Sequence, residues 1–186
     1  GTGSSAAMGV ALIGLLDALQ GGGMTRHEIA ALANSLEVDE IGIAGGKQDQ
    51  YAAAYGGLNF MGFRDPEVTV EPLQPSRDFL LEMEKSLLLV YTGKSRLSGD
   101  IINTVMGAYR RGESGITEAL MNLRQAALDM RAAIMAEDLV RVGEVLNFNW
   151  ENQKRLYQQM TTPKIEALFA VARPEGLLGG KACGAG

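Results

Sequence analysis

The chain has 186 residues, 46% hydrophobic and 21% charged, the make-up of an ordinary soluble globular protein. Its formal charge of −5 argues against nucleic-acid binding, which needs a basic face. One cysteine excludes an internal disulfide framework and suits a reducing cytoplasm, and one histidine removes most zinc sites and His-dependent triads.

Gly1-Thr2-Gly3-Ser4-Ser5-Ala6-Ala7 is a glycine-rich turn feeding a helix N-terminus. Ser4 to Gln20 is apolar on nearly every face, which predicts a buried helix, ended by Gly21-Gly22-Gly23. Its longest apolar run, Ala6 to Leu16, is too short to span a bilayer, so no membrane partner is expected. Thr25 and Glu28 form a capping-box start for a second helix through about Leu36. Gly42 to Gly57 reads as a loop, a short helix and a glycine break. Leu58 to Phe63 and Val68 to Leu73 alternate as strands around an Arg64–Glu67 turn, and Pro72 and Pro75 mark a linker.

Leu87 to Tyr91 reads as a short buried strand. Ile116, Leu120, Leu123, Ala127, Met130 and Ile134 recur at helical spacing, and Leu139, Val142, Leu146, Trp150 and Tyr157 continue in a next helix. Thr161-Thr162-Pro163 starts a last helix, with Ile165, Leu168, Phe169 and Ala172 as its buried face. The layout is α+β in two parts, roughly 1–73 and 74–186.

The first loop presents backbone N–H groups without intrahelical partners at the positive end of a helix dipole, an arrangement suited to phosphate. It lacks the Gly-Lys-Ser/Thr of a P-loop and matches Gly-x-Gly-x-x-Ala at Gly1, Gly3 and Ala6 without a preceding strand. Of Ser4 and Ser5, one hydroxyl is expected to cap the helix and the other to be free for phosphate or Mg²⁺. Asp49, where the short helix begins, reads either as an acid satisfying the dipole or as the carboxylate that takes a proton from an attacking hydroxyl. Glu37 reads either as a metal ligand or as a solvated acid beside Asp39 and Glu40. Thr92-Gly93-Lys94-Ser95-Arg96, ahead of a helix capped by Ser98, is an anion pocket with Arg96 as a planar fork or a solvated loop. Lys181 and the closing glycines follow apolar Leu177-Leu178, which favours an ordered strand or turn. His27 reads as an inert surface residue, Cys183 as a small packing residue and the nine methionines as core filler.

Gly1-Thr2-Gly3-Ser4-Ser5-Ala6-Ala7, Gly45-Gly46-Lys47-Gln48-Asp49-Gln50 and Gly180-Lys181-Ala182-Cys183-Gly184-Ala185-Gly186, in this order, together resemble the three motifs of the GHMP kinases. The stretch from Gly45 to Phe60 looks most like the D-glycero-D-manno-heptose 7-phosphate kinase branch. The resemblance implies a two-domain α+β GHMP kinase fold, with a ribosomal protein S5 domain 2-like N-terminal part and a ferredoxin-like C-terminal part. Residues 1–73 would be the C-terminal portion of the ATP-binding domain and 74–186 most of the second domain. The family's N-terminal motif and the end of its third motif are missing, so the expectation is a chain truncated at both ends and inactive or poorly folded alone.

The resemblance also implies ATP and Mg²⁺ as cofactors and a small-molecule sugar or sugar phosphate as substrate, in the cytoplasm. Gly1, Gly3, Ser4, Ser5 and Ala6 would surround the triphosphate, with Ser5 contacting Mg²⁺. Glu37 would be the metal-binding acid, with Asp39 in reserve, and Asp49 would face the acceptor hydroxyl. Lys181 and Gly184 belong to the motif that closes on phosphates and substrate, and Lys94 and Arg96 would take a substrate phosphate. The implied reaction is transfer of the γ-phosphoryl group of ATP to a sugar hydroxyl, C1 of the heptose 7-phosphate. The alternatives are a galactokinase- or fucokinase-like sugar kinase, or a nucleotide-binding module without turnover.

Overall fold

The computed structural model describes residues 3–42, 45–93 and 98–184, with backbone alone at 98–100. The chain divides into two units, Gly1–Pro72 and Leu73–Gly186. In the first, helix α1 (Ser4–Leu19) packs against α2 (Arg26–Ser35) and α3 (Gln48–Tyr55), followed by a hairpin of β1 (Asn59–Arg64) and β2 (Glu67–Pro72). Gly9 and Gly14 face Ala33 and Ile29 across the α1–α2 seam. Ala6, Ile13, Ala30, Ala33 and Tyr51 are the buried apolar residues of this unit.

α2 opens on the expected capping box. The Thr25 hydroxyl accepts from Glu28 N at 3.2 Å, and the Glu28 carboxylate accepts from Thr25 N at 2.7 Å. These bonds hold the Glu28 carboxyl below its ordinary pKa. α2 then widens into a π-helical turn, Leu36–Glu40, closed by Ile41 N–H to Leu36 O at 3.0 Å. Such turns redirect the side chains that follow and recur at functional sites. The hairpin is antiparallel in register Asn59↔Pro72 to Arg64↔Glu67, with Asp65-Pro66 at its turn. Tyr51 anchors α3 with its ring edge-on to His27 and Phe63.

The second unit is helical: α4 (Arg77–Ser86), α5 (Ser98–Arg110), α6 (Ser114–Met135), α7 (Leu139–Leu156) and α8 (Pro163–Ala172). Glu118–Arg155, Asn122–Asn152 and Asp129–Arg141 pair across α6 and α7, an order that makes them antiparallel. Ala119, Ala126 and Ala133, seven residues apart, are the buried small residues of α6, and Val142 and Val145 are buried on α7. Ile101, Val105, Trp150, Met160 and Ile165 form the core, with Phe169 and Ala182 packed against it. α4 is capped by Ser76, whose N–H and hydroxyl both donate to the Glu137 carboxylate, at 2.6 and 2.8 Å. α8 starts on the Thr162 cap with Pro163 in its first turn.

Several expectations change. α1 is a helix but not a buried one: Met8, Leu12, Leu15, Leu16 and Leu19 are exposed. An all-apolar pattern says that a helix suits burial; how many sides are covered depends on its neighbours. Residues 87–91 are no strand, although Leu87 is extended at φ −88°, ψ 130°. Among the described residues the one ladder is β1–β2, and Leu88 and Tyr91 are 89% and 77% exposed. The α+β layout therefore holds with its sheet reduced to one hairpin among the described residues. On α6 the stripe residues Ile116, Leu120, Leu123 and Met130 are half-buried, Ala127 is exposed and Ile134 is buried, while Ala119, Ala126 and Ala133 take the tight seam, because helices pack closest where side chains are small. Leu168 is exposed on α8, and Met8, Met106, Met121 and Met135 are exposed, not core filler. Ser98 is the first residue of α5, not the residue before it.

Backbone proximity fixes where the chain end runs. A Cβ on Gly179 would overlap the Gly143 carbonyl of α7, so only glycine fits. Gly179→Ala is expected to destabilise the protein by about 1–3 kcal/mol through overpacking. Gly115→Ala on α6, where a Cβ meets open space, is expected to be neutral or to stabilise by up to about 1 kcal/mol. Urea denaturation of the two variants measures the contrast.

Candidate active site

Gly3 caps α1 from the left-handed region, φ 71° and ψ 27°, with no side-chain cap bond. This corrects the expectation that Ser4 or Ser5 caps the helix: both lie inside its first turn, where their hydroxyls stay exposed. The first helical bond runs from Ala7 N to Gly3 O at 2.9 Å, so the N–H groups of Ser4, Ser5 and Ala6 have no intrahelical acceptor. Ala6 is itself buried and contributes backbone alone to that end.

Two acids converge on this helix start. A Cβ placed on Gly3 would lie 3.2 Å from Asp49 Cγ and Oδ2, so the carboxylate rests against the Gly3 backbone. Asp49 is exposed on the first turn of α3, 3.5 Å from Gln48 Nε2. Glu37, on the π turn, accepts from Ser5 Oγ through Oε1 at 3.3 Å and from the Gln50 amide through Oε2. Asp39 instead accepts from Ser35 Oγ at 2.8 Å along its own helix, which separates it from the Ser5–Glu37 pair. Lys47 pairs with Asp65 at 2.8 Å, tying the loop ahead of α3 to the hairpin turn.

Among the described residues no group of three or more His, Cys, Asp or Glu could hold a metal ion. What this site offers is one carboxylate and one hydroxyl, both hard oxygen donors, beside unclaimed N–H groups. That set fits Mg²⁺ carried in on phosphate oxygens, since Mg²⁺ is commonly held by one or two carboxylates plus substrate and waters.

The second unit holds the Lys181–Gly184 segment. Asn147 of α7 donates to Leu178 O at 2.9 Å and accepts from Gly180 N at 3.3 Å, and Gln153 donates to Gly184 O at 2.6 Å. Ala182 packs on the helical core, and of the expected strand or turn the segment is an ordered turn. Burial pushes the Lys181 ammonium below the ordinary lysine pKa, with the Cys183 thiol partly opposing it. Cys183 is exposed and not a packing residue. His27 is exposed, as expected, and its Nε2 lies 3.2 Å from the Tyr51 hydroxyl. Gly1, Lys94 and Arg96 lie outside the described residues.

Sequence reasoning missed Gln50, Asn147 and Gln153. Gln50 adjoins Asp49, yet nothing in the sequence says that its amide turns inward to another helix. The two α7 amides sit among apolar residues of a helical stripe, where their partners, backbone carbonyls far along the chain, leave no local pattern.

Residues 1–57 match the GHMP kinases N terminal domain. It is 33% identical over 161 residues to the D-glycero-alpha-D-manno-heptose 7-phosphate kinase of Campylobacter jejuni, covering 86% of this chain and 47% of that protein. It is 28% identical to the bifunctional fucokinase/GDP-fucose pyrophosphorylase of Arabidopsis thaliana, over 94% of this chain and 17% of that protein. Among solved structures, a D-glycero-D-manno-heptose 1-phosphate kinase from Bacteriodes thetaiotaomicron superposes with a TM-score of 0.73 at 30% identity, over 99% of this chain and 50% of that one. The chain thus spans about half the length of the two heptose phosphate kinases it resembles. No helix among the described residues is long and apolar enough to cross a membrane.

Lys181 makes stability pH-dependent. Its folded-state pKa lies below the unfolded value of about 10.5, so between the two values the unfolded chain binds more protons. Stability therefore falls as pH drops from 10.5 through the folded pKa, and the full loss persists below it. Lys181→Met is expected to melt higher than the parent at neutral pH, with the gap closing as pH rises through that window. Thermal melts followed by circular dichroism at pH 7 and pH 10 measure it.

Proposed function

We propose that the protein is an ATP-dependent sugar kinase and that the first unit of this chain supplies its phosphate cradle, its metal-holding acid and its base. The observation that carries the reading is the convergence of Ser5, Glu37 and Asp49 on the α1 N-terminus around Gly3. The N–H groups of Ser4, Ser5 and Ala6, with the helix dipole behind them, bind phosphate oxygens. The absence of a Cβ at Gly3 leaves the phosphates a path past the Asp49 carboxylate. Ser5 and Glu37 hold Mg²⁺, which when bound neutralises charge on the nucleotide phosphates.

Asp49 takes the proton of the acceptor hydroxyl. That oxygen then forms a bond to the γ-phosphorus, the bond from the γ-phosphorus to the β–γ bridging oxygen breaks, and ADP leaves. The chemistry rests on positioning and charge neutralisation, as phosphoryl transfer generally does. Likeness to heptose phosphate kinases supports the anomeric C1 hydroxyl of D-glycero-D-manno-heptose 7-phosphate as acceptor. A hemiacetal hydroxyl is more acidic than an ordinary alcohol, so a carboxylate base is adequate. Lys94, Arg96, Lys181 and Gly184 belong to this reading as substrate contacts. A fucokinase-like acceptor is the second reading, favoured by the likeness to the plant fucokinase.

In the full-length protein, Asp49→Asn is expected to lower kcat by about 10²–10⁴ while the KM for ATP stays within a few-fold. ADP release with ATP, Mg²⁺ and heptose 7-phosphate, against L-fucose in a parallel reaction, is the assay. Activity of the variant within a few-fold of the parent would remove Asp49 as the base, and faster turnover of L-fucose would select the second reading.

A further inference from the structure

Gln50 sits on the first turn of α3, only 3% exposed, and its amide nitrogen donates to Glu37 Oε2. Glu37 Oε1 accepts from Ser5 Oγ. One carboxylate is thus gripped on both sides, by a hydroxyl from α1 and an amide from α3. Chemistry settles the amide's orientation: a flip would set Gln50 Oε1 against a carboxylate oxygen, two acceptors with no proton between them. With the nitrogen committed, Gln50 Oε1 is buried without a protein partner. A buried, unsatisfied amide oxygen costs stability, so packing alone would favour an apolar side chain here.

An apolar side chain could not aim Glu37. A lysine or arginine could, but its charge would cancel the one the carboxylate offers a cation. A neutral donor fixes the geometry and leaves the whole negative charge available. We propose that Gln50 is a positioning residue that aims the Glu37 carboxylate at the divalent cation of the nucleotide. The inference rests on the kinase reading above. Groups that orient a metal ligand from behind typically matter 10–100-fold in metal affinity.

The test is binding of a fluorescent ATP analogue to the full-length protein, titrated with Mg²⁺ and repeated without divalent metal. Gln50→Met, nearly isosteric but unable to donate, is expected to raise the half-saturating Mg²⁺ concentration by about tenfold or more. Metal-free affinity should stay within about twofold, a split that a merely structural role would not produce. Glu37→Gln should shift the Mg²⁺ requirement likewise, and adding Gln50→Met to it should add less than about twofold, because both remove one shared interaction. Gln50→Asn, too short to reach Glu37, should reproduce the shift and carries the test if the methionine variant does not fold.

A normal Mg²⁺ requirement in both Gln50 variants, with a raised one in Glu37→Gln, overturns the role of Gln50 and spares the kinase reading. Equal losses with and without Mg²⁺ also overturn it, reducing Gln50 to a packing residue. A normal requirement in Glu37→Gln removes Glu37 as the metal-holding acid, and the inference falls with it.

Discussion

The Glu37 carboxylate is the joint on which the first unit turns. Its two oxygens receive a hydroxyl from α1 and an amide from α3, residues 32 and 13 positions away along the chain. Three segments that share no local pattern meet at one side chain. One carboxylate thus links the starts of two helices. The π turn makes this possible. Its wider winding ends α2 and sets Glu37 towards Ser5, while Asp39, two residues on, bonds back to Ser35.

Around that joint the fold removes side chains where backbones must come close. Gly3 brings the Asp49 carboxylate against the start of α1. In the second unit, Gly179 passes against the Gly143 backbone in the same way. Asn147 then holds Leu178 and Gly180 with the two ends of one amide. Missing Cβ atoms create the approach, and carboxamides lock it, at no cost in charge.

The balance of charge at the α1 terminus follows from this geometry. Unclaimed N–H groups and a helix dipole favour an anion, yet two carboxylates stand beside them. A polyanion alone would meet repulsion there; a polyanion carrying a hard cation would not. Structural economy and the proposed chemistry thus point to the same kind of ligand, a metal-bound phosphate chain.

Local chemistry was legible in the sequence for several short-range features. The capping box of α2, the short helix between glycine breaks, the hairpin around Asp65-Pro66 and the Thr162-Pro163 start of α8 all depend on residues a few positions apart. The candidate acids were also legible, because helix ends and glycine-rich turns mark where carboxylates and free N–H groups occur. Burial was not. The apolar runs of α1 and of residues 87–91 look like core in the sequence, and both stand largely exposed among the described residues. A run records what a segment would gain from burial, whereas exposure depends on which neighbours cover it.

The sequence by itself therefore determined the caps of α2 and α8, the hairpin and the identity of Ser5, Glu37 and Asp49 as candidates. Only the tertiary structure decided between Glu37 and Asp39 as partner of Ser5, put Gly3 and not a serine at the cap, and turned Gln50 inward. Those outcomes depend on distances between helices, and a distance across 32 residues is set by packing, which no local pattern encodes.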